Sequence, residues 1–129
     1  MTIEDKLIMP KKKTISGTDF EFYIYKTVRK NFPLREGWEI LENVEFKVGR
    51  SLIRPDFVVR KRNVYAVIDA KDKAILEPRD VDQILFYAEK TKAKEAIIYV
   101  ANDTEVPQAV KDYADSEGVK IRTSLWRIS

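Results

Sequence analysis

Two acids and a lysine define the chemistry open to this chain: Asp56, in Arg54-Pro55-Asp56, and Asp69 and Lys71, in Asp69-Ala70-Lys71. A short basic turn, Arg60 to Asn63, separates the two stretches. Side chains i and i+2 of a β-strand share a face, so Asp69 and Lys71 project together while Ala66, Ile68 and Ala70 point the other way. A hairpin turning at Arg62-Asn63, where Asn tolerates the left-handed backbone, sets Asp56 directly opposite Asp69. Cross-strand partners lie roughly 5 Å apart between Cβ atoms, close enough for two carboxylates to grip one divalent cation. A salt bridge between Asp69 and Lys71 alone would leave Asp56 unexplained, and two opposed acids repel unless a cation lies between them.

The rest of the composition narrows the options. The chain has no His and no Cys, which removes imidazole general bases, Ser-His arrangements, thiol nucleophiles and zinc sites built on nitrogen or sulfur. Any metal must sit among oxygens, which favours Mg²⁺ or Mn²⁺ and a phosphate-bearing substrate. With 129 residues, 44% of them apolar, one domain with one core is expected. No apolar run approaches the ~18 residues of a membrane span, and the N-terminus has no signal-peptide pattern, so the expectation is an intracellular, cytoplasmic protein without a membrane. The net charge of +3 is only mildly basic, but Lys11-Lys12-Lys13, Arg54, Arg60-Lys61-Arg62, Lys71 and Lys73 all fall in the first 73 residues. A solvated surface is the competing reading of any one of these clusters.

The elements that must position the three residues follow from periodicity. Residues 1–15 read as a basic N-terminal arm and residues 16–129 as a single domain. Ser16 and Asp19 resemble a helix-starting box, and Phe20, Ile24 and Val28 recur at helical spacing up to about Asn31, with Glu21 and Tyr25 on an adjacent stripe. Trp38 to Val48, Ser51 to Val59 and Val64 to Lys71 read as a three-strand meander. The last of these is apolar on both parities, as in a central strand covered by helices on both faces. Pro78 opens a second helix, with Asp80 and Asp82 in its first turn and Val81, Ile84, Leu85 and Ala88 as its core stripe. Asp80, Gln83 and Tyr87 line another side, from which amide and phenol could lean over the strand ends. A β-α-β crossover into Ala96 to Val100 implies parallel pairing. A last helix, closed by Gly118, leads to an edge strand over Val119 to Thr123, and the tail Leu125-Trp126-Arg127-Ile128 is unusually apolar. The fold class is α/β with a mixed central sheet.

These residues resemble the signature of the PD-(D/E)XK nucleases, the restriction-endonuclease-like superfamily: Pro55-Asp56, then Asp69-Ala70-Lys71. Gly17-Thr18-Asp19-Phe20-Glu21 resembles the opening of that family's first helix, and Gln83 with Tyr87 resembles the pair carried by some exonuclease-type branches. The likeness runs from about residue 16 to residue 123. It implies a restriction-endonuclease-like fold and a Mg²⁺- or Mn²⁺-dependent DNA endonuclease, in which Asp56, Asp69 and the Ala70 carbonyl ligate the metal. It further implies that Lys71 positions or activates the attacking water, that Glu21 completes the site, and that Gln83 and Tyr87 support the substrate or the lysine. Lys11, Lys12, Lys13, Arg54 and Lys73 would then meet DNA phosphates. The wording of the first helix is similar to the branch related to methylated-DNA restriction enzymes (Mrr-like). The small size resembles archaeal Holliday junction resolvases, and a homodimer is expected because cutting both strands needs two sites. The alternative is a catalytically silent DNA-binding or assembly module of the same fold.

Overall fold

A strand that is apolar on both parities needs cover on both faces. The structure, a computed structural model, provides it. The structure describes the backbone of residues 7–10 and the whole of residues 19–124. Among these residues the order is β1 (Leu7–Pro10), α1 (Asp19–Asn31), β2 (Glu39–Glu42), β3 (Val44–Val48), β4 (Ser51–Ile53), β5 (Phe57–Lys61), β6 (Asn63–Lys71), α2 (Pro78–Thr91), β7 (Glu95–Val100), α3 (Gln108–Ser116) and β8 (Val119–Thr123). The main sheet runs β2-β5-β6-β7-β8, with β6 in the middle. β2, β5 and β6 are antiparallel, while β6, β7 and β8 are parallel, as the two crossovers require. This is the mixed central sheet, flanked by helices, anticipated from the order of elements.

Alternation along β6 divides the core in two. Val64 and Val67 face α2 and α3, where Val81, Ile84, Val110 and Ala114 meet them. Ala66 and Ile68 face α1 and pack with Phe20, Ile24 and Val28. Every residue of β7 from Ala96 to Val100 is buried, which is why that run carries no polar parity. No helix among the described residues is long and apolar enough to cross a membrane.

The expected meander is corrected in one respect: its first two strands are each broken, and their halves belong to different sheets. Asn43, with φ of 52°, turns the chain from β2 in the main sheet to β3 in a second sheet of order β1-β3-β4. The next strand breaks at Arg54-Pro55-Asp56, where Pro55 has no N–H to give a ladder. The two breaks are tied together, since the Asn43 N–H donates to the Asp56 carbonyl at 3.3 Å. Residues 7–10, within the stretch read as an arm, pair antiparallel with β3. Lys11, Lys12, Lys13, Ser16 to Thr18 and the apolar tail from Leu125 lie outside the described residues.

The hairpin turn differs in detail. Arg62, not Asn63, carries the left-handed backbone, with φ of 81°. Lys61 pairs with Asn63, which is one residue tighter than expected, and a bulge between Val59 and Arg60 absorbs the extra residue at Tyr65. The bulge puts Tyr65 on the α1 side together with Ala66, where it meets Phe32 (6.0 Å) and Trp38 (5.1 Å) edge-on. Below the bulge Phe57 pairs with Ile68, so the register at the site is the expected one.

Candidate active site

The Asp56–Asp69 pair forms where β5 begins and β6 nears its end. The two residues clasp each other through backbone amides: the Asp56 N–H donates to Asp69 Oδ1 (3.1 Å), and the Ala70 N–H donates to Asp56 Oδ2 (2.8 Å). The clasp explains how two acids can be held together. One oxygen of each is fixed by an amide, and charge-assisted bonds of this kind are the stronger class. Asp69 is only 3% exposed. Burial pushes its carboxyl above the ordinary carboxylate value, and Asp80 and Glu21 add to the effect, while Lys71 and the Asp56 N–H oppose it. Burial thus disfavours the charged form of Asp69, and Lys71 and the Asp56 N–H offset that only in part.

Lys71 leaves β6 on the same face as Asp69, as its spacing requires. Its Nζ lies 4.0 Å from Asp69 Oδ2 and donates to Gln83 Oε1 at 2.8 Å. Gln83 thus fixes the direction of the ammonium without neutralising it, because an amide is a neutral acceptor. One turn further along α2, Tyr87 is half-buried. Burial, then the charges of Asp69 and Asp56, push its phenol up, while Arg54 and a hydrogen bond with Gln83 pull the other way. The second helix therefore brings both of its polar residues to the acid pair.

The remaining expected residues fall into different situations. Glu21, half-buried on α1, acts on Asp69 electrostatically from the other side of the sheet. Arg54 is exposed beside the site, with its Nη1 3.5 Å from Glu45 Oε1. Lys73 is engaged internally: its Nζ donates to Glu77 Oε1 and Asp80 Oδ2, both at 2.9 Å. Its backbone carbonyl accepts from Thr104 Oγ1 at 2.6 Å. Asp80 itself is 7% exposed and closes a capping box by accepting the Glu77 N–H at 2.8 Å. The sequence points to Asp80 as a first-turn acid, but its tie to Lys73 depends on how the chain folds back between β6 and α2.

Among the described residues, no group of three or more acidic side chains forms a metal cage. The donor set still fits a hard divalent cation. Asp56 and Asp69 are clasped side by side, Asp69 is buried with Lys71 no nearer than 4.0 Å, and the remaining positions can be filled by water and substrate oxygens, as Mg²⁺ prefers.

No family model and no curated protein matches the sequence. Among solved structures, the chain is similar to a protein of unknown function, AF1548, with a TM-score of 0.62 and 16% identity. The match covers 85% of this chain and 61% of that one. It is also similar to Can2 from Sulfobacillus thermosulfidooxidans, solved in complex with cyclic tetra-adenylate, with a TM-score of 0.54 and 16% identity. That match covers 81% of this chain and 31% of Can2. The chain thus spans less than two thirds of either structure, and at this identity the likeness shows a shared α/β fold.

Proposed function

We propose that the protein is a metal-dependent DNA endonuclease that hydrolyses phosphodiester bonds through a PD-(D/E)XK-type site. The observation that carries this reading is the Asp56–Asp69 clasp with Lys71 on the same face, 4.0 Å from Asp69 and directed by Gln83. A Mg²⁺ or Mn²⁺ held by Asp56, Asp69 and the Ala70 carbonyl would supply Lewis-acid polarisation of the phosphate and a lower pKa for water. The chain's own residues do the rest. Lys71 presents its ammonium where an attacking water must approach, orients that water and offsets charge growing on the phosphate. Gln83 holds the ammonium in that position, and Glu21 deepens the negative potential that draws the cation in. Arg54 takes a flanking phosphate, a contact that carries no sequence information. The fold shared with Can2, which holds a nucleotide ligand, is in keeping with a phosphodiester substrate. A substrate cut on both strands calls for a homodimer.

The test is cleavage of supercoiled, linear, single-stranded and four-way-junction DNA with Mg²⁺, Mn²⁺ or EDTA. Cleavage is expected with either metal and not with EDTA, and Lys71→Ala should slow it by about 10²-fold or more. Activity that survives Lys71→Ala or EDTA would sink the mechanism. No cleavage of any form would leave a binding module of the same fold.

A further inference from the structure

Beside the acid pair is an open recess of about 370 Å³ lined by Glu45, Leu52, Arg54 and Tyr87. Glu45 and Leu52 come from the small sheet, and Arg54 directly follows β4. Phe46 pairs with Ile53, both buried, so the alternate positions Glu45, Leu52 and Arg54 lie on the opposite face. Leu52 is 60% exposed, an apolar side chain held out at the edge of a charged site. Tyr87 joins the recess to the acid site, because it lies one turn along α2 from Gln83, which accepts from Lys71 at 2.8 Å, while Arg54 is two residues from Asp56. The Arg54–Glu45 contact, 3.5 Å between partly exposed groups, holds the guanidinium only loosely.

We infer that this recess is a nucleotide subsite that holds one unpaired nucleotide next to the scissile phosphate, so the preferred substrate is single-stranded or frayed DNA rather than closed duplex. The inference rests on the nuclease reading above. The recess, about 370 Å³, is near the lower end of small-molecule sites, about 300 Å³, and gives room for one nucleotide. Tyr87 and Leu52 offer a ring and an aliphatic surface to the faces of a base, and those faces are available only once the base has left its stack. Glu45 can accept from the Watson–Crick donors of a base, which are occupied when the base is paired. Arg54 meets the phosphate of the same nucleotide.

The test is fluorescence anisotropy on an Asp69→Asn background in EDTA, which separates binding from cleavage. The probes are a labelled single strand and a duplex of the same sequence sealed by hairpin loops at both ends. The single strand should bind on the order of tenfold more tightly than the sealed duplex. Leu52→Ser and Arg54→Ala should each weaken single-strand binding by about tenfold, and Arg54→Ala should reduce the salt slope by about 0.7, the share of one phosphate. Both side chains are exposed, and unchanged circular dichroism melts would show that the fold is retained. Equal affinity for the two forms, or variants without effect, would overturn the subsite. Selective binding without cleavage by the wild type would keep the subsite and remove the nuclease. Cleavage of sealed duplex as fast as single strands would do the reverse.

Discussion

Lys71 and Lys73 are two residues apart, and each lies among acids, yet their surroundings are opposite. Lys73 makes two 2.9 Å contacts, to Glu77 and Asp80, and Asp80 also caps α2. Lys71 stands 4.0 Å from Asp69 and gives its short bond to a neutral amide instead. In the first set every charge is spent on its neighbours, and the result is a fixed joint between β6 and α2. In the second, Asp69 is buried with its cation held off at 4.0 Å, and Lys71 gives its short bond to an amide rather than an acid. Completed pairing marks residues that build the fold, while looser pairing at the same depth is the pattern expected of a site that binds a ligand. The joint serves the site, because it sets the first turn of α2 and thereby places Gln83 over Lys71.

The contrast breaks most visibly at Asp69. Asp69→Asn should lower cleavage by about 10²–10³-fold while raising the melting temperature, because the amide still accepts the Asp56 N–H but carries no buried charge. A lower melting temperature would mean that Asp69 is a structural acid like Asp80. The next effect in size is on the joint. Asp80→Ala should cost about 1–3 kcal/mol by urea unfolding, through the lost cap and the stranded Lys73. Its effect on cleavage should be smaller than that of Asp69→Asn, because Asp80 acts only through the position of α2.

The smallest effect concerns pH, and it has opposite signs in the two regions. Asp69 titrates above its ordinary 3.8, so its charging destabilises the fold progressively as pH climbs from 3.8 to the raised native value. Glu77 is held below its ordinary 4.5, first by its bond from Lys73. Its stabilising contribution is therefore present above 4.5 and is lost as pH falls through the lowered native value. Urea midpoints between about pH 3 and 7 should show Asp69→Asn removing a loss of stability on raising pH and Glu77→Gln removing a gain. The same sign from both variants would contradict the contrast.

The acid pair and its lysine were legible in the sequence because strand parity and hairpin register are local rules, and they held at Phe57–Ile68 and below. The parallel order of β6, β7 and β8 was legible for the same reason, through the crossover helices. What stayed hidden depends on where separate pieces meet. Asn43 and Pro55 can be read as irregularities, but nothing local says that the chain changes sheets at each. Glu45 and Leu52 gain interest only because that change sets β3 and β4 beside Tyr87. Lys73 reads as a surface cation until the turn into α2 brings Glu77 and Asp80 to it.

The bulge at Tyr65 has a consequence for how the site tolerates change. A two-residue turn without a bulge and the observed tighter turn with one both use the same residues between Val59 and Ala66, and both leave Asp56 opposite Asp69. The hairpin tip therefore works as a slack-adjuster: residues can be traded between turn and bulge without moving the two strands past each other. The basic Arg60 to Asn63 turn lies roughly 13 to 20 Å along the strands from the acids. The bulged Tyr65 is held edge-on by Phe32 and Trp38, so the setting in use is packed into the α1 side of the core.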